Sequence, residues 1–199
     1  RCFEAQDYLK MLSMLHKIPV KVGETYIINS GVPHAIGAGC FILELQEPND
    51  YTLRVEKITP QGFEIDEFMC HQGIGYDNML NCFDYCGVSE EEALLRLRTQ
   101  PSEIETSPGY SIRRLIGHSD TTCFGLDEIV VNSRATFGQH DAYYGLFVLG
   151  GSGEIIAEDS AFPIKQGQAF FVPAVCPGFE LLSSSQSPLR VMRYFGPDV

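Results

Sequence analysis

Residues 23–56 read GETYIINSGVPHAIGAGCFILELQEPNDYTLRVE, and this stretch holds three apolar runs parted by turns. Residues 20–29 (VKVGETYIIN) read as a strand entered through a turn at Gly23. Ser30-Gly31-Val32-Pro33 is turn chemistry, and His34 leaves that turn with Gly37 and Gly39 loosening the backbone behind it. Residues 40–46 (CFILELQ) read as a second strand, with Glu44 and Gln46 beside Ile42 on one face and Phe41, Leu43 and Leu45 on the other. Residues 47–50 (EPND) are a turn. Residues 51–58 read as a third strand with period-2 alternation, Tyr51, Leu53 and Val55 facing one way and Thr52, Arg54 and Glu56 the other.

Four polar side chains in this stretch have chemistry to offer. The neutral imidazole of His34 suits a transition metal, but a loop histidine also binds backbone carbonyls without further function. Glu44 and Gln46 suit a pocket carboxylate and amide, or equally the wet face of an antiparallel strand. Arg54 can clamp an anionic oxygen through its fork, or sit on a solvated face with Thr52 and Glu56.

Working outward, residues 3–16 (FEAQDYLKMLSMLH) carry apolar residues near a 3.6 period, which predicts an amphipathic helix ended by Ile18-Pro19. Residues 59–75 give a weak signal, and a short helix is expected within 76–87. Ser89 followed by three glutamates is a helix start that leads into a second short helix closed by Pro101. Residues 101–109 (PSEIETSPG) read as a linker. Beyond 109 the chain becomes a series of short apolar runs between turns, which indicates a sandwich or barrel. GQAFFVPAVCPGFEL echoes GETYIINSGVPHAIG as a weak internal repeat, as expected of two copies of one β unit. The expected organisation is 1–58 for the His/Glu/Arg segment, 59–108 for a helical insert and linker, and 109–199 for a second β unit. Gly150-Gly151-Ser152-Gly153 precedes a strand rather than a helix, so a hairpin turn is expected there and not a phosphate loop. His16, His71, His118 and His140 stand alone and are read as structural.

With 199 residues, 30 of them Gly or Pro, and 13 Phe with 9 Tyr, the chain has turns and aromatics for a β-rich core. A net charge of −12 without a basic cluster argues against nucleic acid and anionic membrane as partners. It leaves room for a small anionic substrate. The seven cysteines include no CxxC pair and read as reduced core thiols in a cytoplasmic protein. No apolar run approaches the roughly 20 residues of a membrane span.

The quoted stretch resembles a conserved segment of the type I mannose-6-phosphate isomerases, metal-dependent enzymes of the cupin superfamily. The resemblance rests on Gly23, Glu24, Ile28, Gly31, His34, Ala35, Ile36 and Gly37, then Glu44, Leu45 and Gln46, then Arg54. Leu53 stands where the family pattern has Tyr. The resemblance implies a mainly β fold of two cupin-type jelly-roll units, the first incomplete, with a small helical insert. It implies that His34 is a zinc ligand, that Glu44 and Arg54 are catalytic, that Gln46 contacts substrate, and that the substrate is a small sugar phosphate. The implied reaction is aldose–ketose isomerisation of the mannose-6-phosphate to fructose-6-phosphate type, with proton transfer through a cis-enediol. The family's upstream Gln-x-His pair and its glutamate are not found before His34, and the chain starts Arg1-Cys2-Phe3. The expectation is therefore a C-terminal piece of a longer isomerase, inactive alone and with an incomplete zinc site. The alternative is a non-catalytic cupin for sugar binding or assembly. The oligomeric state is left open.

Overall fold

The computed structural model describes residues 1–47, 51–59, 61–184 and 186–197. Two compact units divide the chain, Arg1–Arg98 and Thr99–Val199.

The first unit holds four short helices: α1 (Tyr8–Leu12), α2 (Glu67–His71), α3 (Tyr76–Asn81) and α4 (Glu90–Leu97). The helix expected over 3–16 is confined to α1. Asp7 caps its start by accepting from Lys10 N, and Ser13 ends it. Ahead of that cap, Gln6 sits at φ +50. Its amide bridges away from the helix, accepting from Lys57 N at 2.6 Å and donating to Val55 O at 3.2 Å. A side chain used as a long-range brace at that φ value cannot also sit in a helix interior. The helical insert is present as α2, α3 and α4. α4 starts where the acidic run predicts, with Ser89 Oγ accepting from Glu92 N at 3.2 Å. α2 falls in the weak-signal region and is capped by Asp66, whose carboxylate accepts from Phe68 N at 2.9 Å.

The strands expected at 20–29, 40–46 and 51–58 do not form among the described residues. Residues 48–50 of the expected turn lie outside those residues. Alternation supplies a face, but a strand also needs a continuous hydrogen-bonding edge beside it. Here the partners are single. Tyr26 bridges Arg98 and Ile58 bridges Glu64. Ile27 N donates to Leu97 O at 2.8 Å, and Arg54 N donates to Cys70 O at 2.9 Å. Of the seven cysteines, all free, only Cys70 is buried, and Cys40, Cys82 and Cys86 are exposed. The expectation of core thiols therefore holds for one of them.

The second unit is an antiparallel two-sheet sandwich. Its strands are β1 (Ser102–Ser107), β2 (Tyr110–Ile116), β3 (Gly125–Val131), β4 (Arg134–Gly138), β5 (Tyr144–Gly150), β6 (Ser152–Ala157), β7 (Ser160–Lys165), β8 (Ala169–Val172), β9 (Gly178–Ser183) and β10 (Leu189–Phe195). The larger sheet runs β1-β2-β3-β10-β5-β8 and the smaller β4-β9-β6-β7. Residues 102–107, read as linker, are an edge strand joined to β2 through Pro108-Gly109. Their polarity misled because an exposed edge strand needs no apolar face. The glycines at 150–153 do not make a hairpin: β5 pairs with β10 and β8, whereas β6 pairs with β7 and β9. They carry the chain from one sheet to the other. Gly151 adopts φ +79, and a Cβ on Gly153 would fall 1.9 Å from Leu182 O.

The core fills the space between the sheets with Ile112, Ile129, Val131, Leu146, Val148, Ile164, Leu181, Leu189 and Val191, each 3% exposed or less. Burying one such side chain contributes about 1.5–3 kcal/mol. The mainly β class read from the sequence is the observed one.

Candidate functional site

The structure places the four residues singled out by the sequence as follows. His34 is exposed after the turn at Gly31, whose φ is +83. Its Nδ1 lies 2.9 Å from Val32 O. A carbonyl only accepts, so Nδ1 donates this hydrogen bond. Glu44 and Gln46 are exposed. Arg54 is half-buried, and its Nη1 donates to Met69 O at 2.8 Å and to Thr52 O at 3.5 Å. Met69 and Cys70 belong to the last turn of α2, whose carbonyls lack intrahelical partners, so Arg54 caps that helix end. The hydrogen bonds of His34 and Arg54 thus go to backbone carbonyls and not to one another or to Glu44. Among the described residues no three of His, Cys, Asp and Glu gather where a metal ion could be held. One exposed imidazole does not make a site, because zinc takes three or four protein donors. The residues present do not by themselves fit a zinc centre.

In the second unit, a charged cluster the sequence reading missed is built into the larger sheet. Asp127 and Glu128 are adjacent on β3, 0% and 2% exposed. Adjacent strand residues face opposite ways, so one carboxylate serves each face. Asp127 shares the inner face with Ile129 and Val131. It accepts from Arg114 Nε at 2.6 Å and Arg193 Nη2 at 2.8 Å. Glu128, on the outer face, accepts from Arg113 on one oxygen and Arg190 on the other, with Nε distances of 3.2 and 3.0 Å. The register delivers these pairs, since Arg113 and Arg114 lie opposite Glu128 and Asp127 on β2, and Arg193 lies opposite Asp127 on β10. Burial pushes the Glu128 carboxyl up, but the hydrogen bonds and charges of Arg113 and Arg190 outweigh it and hold the group below the usual carboxylate range. The visible signal was charged pairs inside apolar strands: Arg-Arg in YSIRRLI, Asp-Glu in GLDEIVV and two arginines in LRVMRYF.

Two openings lie in the second unit. A polar cleft of about 610 Å³ is lined by Gln100, Ser102, Glu103, Arg114, His118 and Asp120 among others. An apolar cleft of about 280 Å³ enters the sandwich between Leu146, Ile155, Phe162, Phe170, Cys176 and Phe179. Tyr144 is buried beside Arg193, and burial pushes its phenol up against the opposing charge of Arg193, with Cys176 adding to the rise. His140, at the end of this aromatic group, packs on Tyr144 and Phe195 with centroids 5.5 and 5.6 Å away.

Residues 118–187 match the family model described as "Mannose-6-phosphate isomerase, cupin domain". A putative mannose-6-phosphate isomerase, YvyI, of Bacillus subtilis (strain 168) is 24% identical over 168 residues, covering 84% of this chain and 48% of that protein. A mannose-6-phosphate isomerase of Streptococcus mutans serotype c is 52% identical over 42 residues, 21% of this chain and 13% of that protein. Among solved structures, a mannose 6-phosphate isomerase from Bacillus subtilis superposes with a TM-score of 0.52 at 19% identity, covering 72% of this chain and 40% of that one. That likeness is one of fold. The chain spans about half the length of the curated relatives it matches over most of its own. The cupin-domain match inside the second unit and the alignment across both units point the same way: over most of its length the chain is similar to mannose-6-phosphate isomerases.

Proposed function

We propose that the chain is part of a sugar-phosphate aldose–ketose isomerase that interconverts mannose 6-phosphate and fructose 6-phosphate. The observation that supports this most is His34, an exposed imidazole whose Nδ1 is tied to Val32 O, within the segment that resembles the family's conserved one. In this reading His34 supplies one metal ligand, and the remaining donors come from outside the chain. The zinc would bring Lewis acidity when bound. Glu44 carries the proton between C1 and C2 once a covering surface dries its surroundings. Gln46, two residues along, donates from its amide to a sugar hydroxyl. Arg54 spends one nitrogen on the end of α2 and keeps N–H groups for the oxygen that gains charge in the enediol.

The test is made in the longest natural reading frame that contains this chain. His34→Ala is expected to lower bound zinc and isomerase activity together, and full zinc content with full activity would overturn the ligand assignment. Glu44→Gln is expected to abolish exchange of the C2 hydrogen with solvent while leaving metal content intact. The anchoring of Arg54 on α2 favours one competing reading, a non-catalytic cupin for sugar binding or assembly. In that case no C2 exchange occurs in the unaltered protein either.

A further inference from the structure

A row of side chains on the inner face of the larger sheet ends in the polar cleft. Ser102 of β1 lies opposite Arg114 of β2, Arg114 opposite Asp127 of β3, and Asp127 opposite Arg193 of β10. Residues directly opposite one another in antiparallel strands share a face, so these four stand in one line. Asp127 is buried and accepts from both guanidiniums. One carboxylate against two cations leaves a surplus of about one positive charge. Arg193 sits among the rings of Phe195, Phe137 and Tyr144, with its side chain 15% exposed. The Arg114 side chain is 39% exposed and lines the polar cleft. The surplus is therefore within a ligand's reach at Arg114.

Both bonds from Arg114 to Asp127 leave from Nε and Nη2, at 2.6 and 3.5 Å, so Nη1 is kept for another acceptor. The cleft is shaped around that side chain. Gly117 belongs to its lining, and a Cβ there would stand 3.5 Å from both Arg114 Cδ and Ser119 Oγ. The missing side chain thus leaves the guanidinium stem and a hydroxyl beside one another. Gln100 and Ser102 add neutral hydrogen-bonding groups to the same wall. Glu103 lines the cleft as well, but it lies opposite Arg113 and so belongs to the other face of the sheet. Asp120 accepts from Gly117 N at 2.8 Å, which fixes the turn and keeps one carboxylate in the lining. These groups select among ligands. A neutral polyol would leave the surplus charge uncompensated. A dianion would meet the Asp120 carboxylate. An apolar acid would strand the polar wall.

We propose that the polar cleft of the second unit is a ligand site separate from residues 23–56, taking a small hydroxylated monocarboxylate. The carboxylate accepts from Arg114 Nη1 and Ser119 Oγ, and the hydroxyls of the body meet Ser102 and Gln100. A hydrogen bond between guanidinium and carboxylate is of the stronger kind.

The experiment titrates the chain with D-gluconate, with D-glucitol, in which an alcohol replaces the carboxylate, and with inorganic phosphate at mildly alkaline pH as a dianion without a body. Calorimetry and the amide resonances of Gly117 and Ser119 report binding. Gluconate is expected to saturate with a dissociation constant of about 1 mM or tighter. Glucitol and phosphate are each expected to bind at least about tenfold more weakly. Arg114→Gln is expected to weaken gluconate about ten- to a hundredfold. Should that variant fail to fold, Gly117→Leu sets a side chain between Arg114 and Ser119 without removing an ion pair and is expected to abolish gluconate binding. No saturable shift with gluconate, glucitol or phosphate binding as tightly as gluconate, or binding that survives Gly117→Leu overturns the proposal. Isomerase activity enters none of these readings, so failure here leaves the reading of His34, Glu44 and Arg54 standing.

Discussion

Replacing Glu128 by Gln keeps the shape of the side chain and removes its charge. In the native protein one Glu128 oxygen accepts from Arg113 and the other from Arg190. Gln offers one acceptor and turns an NH₂ toward the other guanidinium, so one pair is lost and two donors meet. A hydrogen bond to a charged group contributes about 1.5–3 kcal/mol. The guanidinium-bearing side chains are 44% and 34% exposed, so solvent screens them and the lower end applies. A loss of about 2 kcal/mol at neutral pH follows, which for a unit of this size lowers the melting temperature by roughly 10 °C. The pH dependence has a definite sign. Burial pushes Glu128 up, but Arg113 and Arg190 hold it below the usual range. Its stabilising contribution is therefore complete above the unfolded value of about 4.3 and is lost as pH falls through the lower folded value. Calorimetric melts of both proteins should differ fully near neutral pH and converge in strong acid. Equal melting temperatures near neutral pH, or a gap that stays constant into strong acid, would refute this account.

Three further substitutions probe the frame. Leu181→Ala removes a fully buried side chain between the sheets and should cost about 2–5 kcal/mol in denaturant unfolding; a loss well under 1 kcal/mol would mean the two sheets do not pack as described. Gly153→Ala sets a methyl against the carbonyl of Leu182, backbone that cannot swing aside, so β6 and β9 should lose amide-exchange protection along their shared ladder. Unchanged protection there would count against the pairing. Ser89→Ala deletes the acceptor for Glu92 N and should destabilise α4 by about 1 kcal/mol, seen as faster exchange confined to residues 90–97.

What could be read from the sequence follows physical range. Ser89 with its three glutamates marked α4 because a cap and a first-turn charge act within four residues. The apolar runs at 110–116, 144–150 and 189–195 marked strands because a buried sheet needs apolar side chains whichever strand lies beside it. Residues 40–46 carried the same signal without becoming a strand, since pairing depends on a neighbour that a local pattern does not contain. The hairpin expected at Gly150–Gly153 failed for the same reason: glycine announces a bend, but whether the chain returns to its own sheet is decided by β9 and β10 far away. At the candidate site, His34 was legible as a residue leaving a turn, and it stands exposed after the turn at Gly31. The tie between Arg54 and α2 was not legible, because α2 itself lay in a stretch with weak periodicity. Asp127 and Glu128 escaped notice because a charged pair inside an apolar run takes its meaning from arginines 13 to 66 positions away.

The strand that comes last in the sequence, β10, fills the middle of the larger sheet between β3 and β5. During synthesis, β3 and β5 therefore emerge with open ladder edges that no nearby segment can close. Both carboxylates of β3 wait as well, since Arg190 and Arg193 arrive with β10. Contacts of such long sequence separation form slowly and leave apolar edges accessible meanwhile. The same arrangement makes the finished sheet cooperative. Withdrawing one seven-residue strand would unzip two ladders and strand two buried acids at once, so the sandwich has no inexpensive way to open from that side.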